Sequence, residues 1–233
     1  MIGILNAYHY DPDPETYQKD YSPMLMDYLR KYFDPKNLKE YMVAQGEFPA
    51  DINECEGWII TGSPASCYDN EIWIHQLINF VQDCHKNTKK VLGICFGHQL
   101  LAHALGGKVE KSNKGWGVGV RNFSILRNTP WMKSNKKDSS LLFSHQDQVT
   151  ELPPSAKLIA TDNFCPNQIF SIDDHIFSIQ GHPEFTKEYA KSRYDSRVEA
   201  LGESVHKEAL RSLTKEGDDK LYGQWIKDFF EDN

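Results

Sequence analysis

Val91-Leu92-Gly93-Ile94-Cys95-Phe96-Gly97-His98-Gln99 is the stretch that decides how this chain folds. Its first half is apolar and β-branched, as a buried strand is. After Gly97 the apolar residues fall at Leu100, Leu101, Ala104 and Leu105, the spacing of one helical face, and Gly106-Gly107 closes the run. Strand, tight turn and helix with a cysteine at the apex make a Gly-x-nucleophile-x-Gly elbow. The glycines are there for a steric reason. The apex residue is strained, and side chains at the flanking positions would collide with the returning chain. The turn lifts the thiol clear of the sheet and sets it at a helix N-terminus, whose partial positive charge favours thiolate. A free cysteine in a strand is more often an inert apolar filler; the bracketing glycines argue against that role for Cys95.

A reactive thiol needs a base, and the base needs a group to orient it. Far downstream lies Ile179-Gln180-Gly181-His182-Pro183-Glu184-Phe185. Pro183 disfavours a helical His182, and on an extended segment residues two apart share a face. One short segment therefore offers an imidazole with a carboxylate beside it. Standing alone it would be read as a surface His near a surface Glu.

Together these stretches resemble the class I glutamine amidotransferase family, whose glutaminase site is a Cys-His-Glu set. Two further segments match in order: Thr61-Gly62-Ser63-Pro64 after an apolar strand, and Ser144-His145-Gln146-Asp147. The resemblance implies an α/β fold, a three-layer open mixed, mostly parallel sheet flanked by helices, of flavodoxin-like type. It assigns Cys95 as nucleophile, His182 as base and Glu184 as its orienter. It places an oxyanion hole at the N–H groups of Gly62 (or Ser63) and Phe96. Substrate contacts fall to Ser63, Gln99, Ser144, His145 and Gln146, with Asp147 next to them. From composition alone His145 competes with His182 for the role of base. No metal and no cofactor are implied.

The chain has 233 residues and a net charge of -7, which suits one large α/β domain and gives no footprint for nucleic acid. Residues 1–233 are expected to form a single domain with a helical C-terminal extension from about 186. The five cysteines (Cys55, Cys67, Cys84, Cys95 and Cys165) are odd in number and form no C-x-x-C pair, so neither a disulfide framework nor a zinc site is indicated. With no long apolar run and no leader pattern, a cytoplasmic protein without a membrane partner is expected.

Along the chain, residues 1–7 read as a strand and Tyr8 to Tyr21 as a loop around Asp11-Pro12-Asp13-Pro14. Ser22-Pro23 reads as an N-cap with proline at the first helical position. Tyr41-Met42-Val43-Ala44 and Gly57 to Thr61 read as strands, and Glu71 to Asn87 as a helix whose His75 and His85 are solvated. Lys108 to Leu126 alternates as one strand-like region. Asn128 to Ser139 is a polar excursion. Leu141-Leu142-Phe143 and three stretches within 156–180 are further strands. Thr186 caps a helix near Lys187; Arg193 and Arg197 on it default to solvated or structural roles, and Trp116 to packing. Leu221, Trp225, Ile226 and Phe229 anchor a final helix.

The expected partner is a small-molecule substrate, glutamine or another γ-glutamyl compound, opened through a Cys95 thioester. The leaving ammonia would pass to a separate synthetase subunit, or the protein would act alone on γ-glutamyl compounds of the glutathione kind. The absence of a G-x-x-x-x-G-K-[ST] loop leaves ATP-driven synthesis out of this chain. A cysteine redox sensor on the same elbow, or a catalytically silent binding module, is the competing class.

Overall fold

The computed structural model describes residues 1–8 and 21–231; the Asp11-Pro12-Asp13-Pro14 loop and most of the Tyr-rich segment lie outside them. Nine strands form one sheet. β2 (Leu38–Tyr41), β1 (Ile2–Leu5), β3 (Gly57–Ile60), β4 (Lys90–Ile94) and β11 (Ile176–Ile179) lie side by side and parallel. β10 (Ile169–Ile172), β9 (Lys157–Thr161), β6 (Gly117–Ile125) and β7 (Asp138–His145) continue it antiparallel. β5 (Lys108–Lys111) and β8 (Asp147–Glu151) make a separate antiparallel ribbon. The sheet is mixed, as expected, with five parallel strands continued by four antiparallel ones.

The central strands are buried on both faces, and alternate residues serve different cores. Ile59 and Leu92 point to one face, where they meet α1 (Tyr21–Leu29) and α7 (Asp219–Glu231). Trp58, Ile60 and Val91 point to the other and meet α2 (Ile72–Lys86) and α3 (Phe96–Ala104). A smaller cluster covers the antiparallel half: Val118, Val120 and Leu142 pack on Ala190 and Tyr194 of α4 (Lys187–Asp195), on Leu201 of α5 (Val198–Leu201) and on Ala209 of α6 (Glu203–Ser212). Trp225, Ile226 and Phe229 of α7 are buried in the same cluster as Ile59 and Leu92. Thr186 caps α4 as expected, accepting the Tyr189 N–H. Among the described residues no helix is long and apolar enough to cross a membrane.

Several sequence expectations give way. Ser22 lies within α1 rather than capping it, and its hydroxyl is spent on Glu40 Oε1 at 2.5 Å. The second strand is Leu38–Tyr41, not 41–44; among the described residues it is an edge strand paired only with β1, and it tolerates Lys39 and Glu40. Val43–Gln45 is instead a short 3-10 turn. Lys108 to Leu126 splits between two sheets. The polar excursion after Asn128 hides Trp131, buried against Phe177 and Phe229. His85 is half-buried rather than simply solvated: its Nδ1 meets His175 Nε2 at 2.9 Å and the rings stack.

Candidate active site

The elbow has the predicted strain. Cys95 sits at φ 52°, ψ −99°, between β4 and α3, a backbone conformation costing about 1–3 kcal/mol in a non-glycine residue. Both glycines are sterically required. A Cβ on Gly93 would stand 2.4 Å from Gly97 O, and one on Gly97 would stand 2.4 Å from Ile60 O. Register then aligns the strand ends: Ile94 pairs Ile179 and Gly93 pairs Ile60. The Cys95 N–H donates to Ile179 O at 2.8 Å, and the Gly97 N–H to Thr61 O at 3.2 Å. The elbow, the Gly62 loop and the segment after β11 so meet at the carboxyl edge of the parallel strands, where open α/β sheets bind ligands.

His182 is held from three sides. Its N–H donates to Leu142 O at 2.8 Å, its ring stacks on Phe185 at 3.8 Å, and its Nδ1 lies 2.7 Å from Glu184 Oε1. With Nδ1 so engaged, the other side of the ring is left for Cys95, which lines the same cleft and is among the groups that raise the pKa of the imidazole. Burial opposes a charge on His182, but the facing Cys95 and Glu184 charges outweigh it and raise its pKa to about 10. His145 is the opposite case. Its Nδ1 is 3.0 Å from Asp147 O, and burial pushes its pKa down to about 3, so it stays neutral. The competition between the two histidines is therefore decided by surroundings that composition does not reveal. Buried Cys67, Cys84 and Cys165 are pushed up to about 12 by burial, which marks them as inert thiols.

The other predicted residues gather around the same cleft, whose volume is about 290 Å³. Ser63, Gln99, Ser144, His145 and Gln146 all line it. Phe96 is the first residue of α3, where the N–H groups of the opening turn have no helical partner. Gln99 is already committed: its Nε2 donates to Asp147 O at 2.8 Å and to Gln180 Oε1 at 3.2 Å. It holds the segment after His145 in place and has no donor left over. Gly62 departs from expectation, because its N–H is donated to Tyr21 Oη at 3.0 Å. That donor is not free for an oxyanion in this structure.

Part of the cleft is lined by residues whose sequence reading is loop, packing or solvated charge. Tyr21, Trp116, Arg193 and Arg197 all line it. The Arg197 guanidinium lies over the Trp116 ring at 5.1 Å and reaches Ser144 Oγ at 3.4 Å. Burial, and then the Arg193 charge, lower its pKa to about 10. Among the described residues neither arginine is in an ion pair. Two arginines four residues apart, one on α4 and one just past its end and both shortly after His182 and Glu184, are the signal available in the sequence.

An elbow-borne cysteine sharing a cleft with a hydrogen-bonded His-Glu pair at the edge of a parallel sheet defines the glutaminase class of α/β proteins. Residues 21–197 match the family model for glutamine amidotransferase class-I, and the chain belongs to that family. It is 38% identical over 156 residues to γ-glutamyl peptidase 3 of Arabidopsis thaliana, a match covering 64% of this chain and 63% of the relative. It is 32% identical to γ-glutamyl peptidase 2 of the same plant, covering 88% and 86%. GMP synthase [glutamine-hydrolyzing] of Streptococcus mutans is 29% identical over 72% of this chain and only 32% of its own length. A solved glutamine amidotransferase from Thermotoga maritima shares the fold, with a TM-score of 0.77 at 18% identity, covering 99% of this chain and 98% of that one.

Proposed function

We propose that this chain hydrolyses the γ-glutamyl amide bond of a small peptide through a thioester on Cys95. The observation that carries the proposal is the Cys95–His182–Glu184 relay opening onto the cleft. His182 takes the thiol proton, and Glu184 fixes the imidazole and supports its charge. The thiolate attacks the γ-carbonyl carbon. The N–H groups of Phe96 and Ser63 receive the oxyanion, since Gly62 is bonded to Tyr21. As the tetrahedral species collapses, the C–N bond breaks and His182 protonates the departing amine. Water, giving a proton to His182, then attacks the thioester; glutamate leaves and Cys95 regains its proton. Ser144, His145 and Gln146 contact the glutamyl part, with Gln99 holding that segment from behind. The reaction takes place within a single domain, residues 1–233, in the cytoplasm. The sharing of one core by α7 and the central strands supports counting the C-terminal helices as part of that domain.

The choice of a peptide over free glutamine rests on Arg193 and Arg197. Two guanidinium groups beside the nucleophile, with no carboxylate partner among the described residues, suit a substrate with a carboxylate beyond the scissile bond. The relatives named γ-glutamyl peptidases support the same choice. The test is glutamate release from L-glutamine, glutathione and γ-glutamyl dipeptides, with Cys95→Ala as the blank. Peptide turnover is expected to exceed glutamine turnover. Arg197→Ala should raise KM for the peptides about tenfold or more, the value of one charge-assisted contact, and raise KM for glutamine by less, through the lost bond to Ser144 alone. Turnover of glutamine alone would overturn the peptide proposal and point to an amidotransferase subunit feeding a separate synthetase. Peptide turnover surviving in Cys95→Ala would remove the nucleophile.

A further inference from the structure

Tyr21 opens α1, far in sequence from every motif of the site, yet its hydroxyl lies within the relay. It accepts the Gly62 N–H at 3.0 Å and donates to Glu184 Oε1 at 3.1 Å. The same Oε1 receives His182 Nδ1 at 2.7 Å, while Glu184 Oε2 has no partner among the described residues. Two donors therefore share one carboxylate oxygen, and one of them is also tied to the loop after β3. The ring is fixed as firmly as the hydroxyl. Tyr21 is 1% exposed, stacks on Tyr8 at 4.8 Å, and meets Phe185 edge-on, the ring on which His182 itself stacks. There is no slack on the loop side: a Cβ on Gly62 would lie 3.1 Å from His182 Cε1 and 3.2 Å from Tyr21 Oη. Burial, and then the Glu184 charge, hold the Tyr21 hydroxyl protonated well above its usual range, so it remains a donor at any working pH.

We propose that Tyr21 is a positioning residue for the Cys95 reaction: by accepting from Gly62 and donating to Glu184, its hydroxyl locks the oxyanion loop to the carboxylate that orients His182. The consequences are specific. Gly62 N–H is a structural donor, and the oxyanion pair is made by Ser63 and Phe96. The carboxylate divides its charge between an imidazole and a phenol, so removing the phenol tightens its hold on the His182 proton.

The test is Tyr21→Phe, which keeps the ring and its stacking and deletes both hydrogen bonds. With Tm monitored to confirm folding, kcat on the best γ-glutamyl substrate should fall about tenfold to a hundredfold, the scale of a small misplacement of reacting groups, with KM little changed. Without substrate, Cys95 alkylation by iodoacetamide, followed on the Cys95 peptide by mass spectrometry, should show a His182-dependent limb near pH 10 in the parent and at higher pH in the variant. In a Glu184→Gln background the same substitution should add little, because the two act through one oxygen. A well-folded Tyr21→Phe with parental kcat and an unmoved alkylation profile overturns the proposal, as does full additivity with Glu184→Gln. The kinetic arm rests on the γ-glutamyl function; the alkylation arm does not. If the parent protein turns over no γ-glutamyl compound, that function fails alone and the alkylation profile still decides on Tyr21.

Discussion

Gly97→Ala is the substitution that most directly tests how the elbow is built. The added methyl would stand 2.4 Å from Ile60 O and 2.9 Å from Ile60 Cβ, both parts of a buried strand with no room to retreat. Restoring an ordinary contact requires moving the start of α3 away from β3 by about 1 Å. The Gly97 N–H to Thr61 O bond, already 3.2 Å, is the first casualty. Overpacking of this kind costs about 1–3 kcal/mol, which in a chain of this length lowers Tm by about 2–12 °C. The functional loss should be larger in proportion. The displacement separates Phe96 N–H from the Ser63 loop, and an error of about 1 Å between the two halves of an oxyanion site can remove up to ~10² in rate. The assay pairs a thermal melt with kcat for glutamate release. Gly217→Ala, where the nearest atom to an added methyl is 3.6 Å away, serves as the control and should be silent in both. A Gly97→Ala protein with the parent's Tm and kcat would refute the steric account of the elbow.

Two pH effects follow from the histidines. The pKa of His182 is raised in the fold from the ordinary 6.5 to about 10, so the stability it contributes is complete below 6.5 and is lost as pH rises through about 10. Cys95→Ala removes one of its two charged partners and should flatten that alkaline loss, as read by urea unfolding at several pH values; an equally steep loss would contradict the coupling. His98 is lowered to about 3, by burial first and the His145 charge second, and its Nδ1 lies 2.9 Å from Ser178 Oγ. The unfolded chain therefore binds more protons below 6.5, and stability drains as pH falls toward 3. His98→Gln should move the acid unfolding midpoint to lower pH, and an unmoved midpoint would rule out His98 as a contributor.

Local rules were enough wherever one residue type had one physical use. The glycines around Cys95, the proline between His182 and Glu184, and the Thr186 cap each found the geometry their chemistry demands. What stayed illegible depends on contacts distant in sequence. Nothing near Tyr21 announces that its hydroxyl reaches Glu184, 163 residues on. Nothing in the segment 147–151, polar and short, shows that it pairs with 108–111 outside the main sheet. Arg193 and Arg197 look like ordinary solvated charges on a helix until α4 is packed against β7 and their side chains turn toward the cleft. Trp131 was hidden by its polar neighbours, since a single aromatic in a loop carries no period.

Chemistry and selectivity are carried by different parts of this fold. The relay depends on sheet register: β4 and β11 are adjacent, Cys95 hangs from Ile179 O, and alternate residues of β11 face opposite cores, Ile176 on one side and Phe177 and Ile179 on the other. A slip of one residue would invert every one of those side chains, so burial on both faces fixes the register and, with it, the place of His182 relative to Cys95. The groups that would choose a substrate are mounted elsewhere. Arg193 belongs to α4, Arg197 directly follows that helix, and Tyr8 belongs to the segment after β1. Changes there can alter what enters the cleft without disturbing the strands that hold the nucleophile. Tyr21 is the exception, because it stands among the substrate-facing aromatics while its hydroxyl reaches the carboxylate of the relay. Of the cleft residues outside the parallel strands and their loops, it is therefore the one whose substitution should change kcat rather than substrate preference.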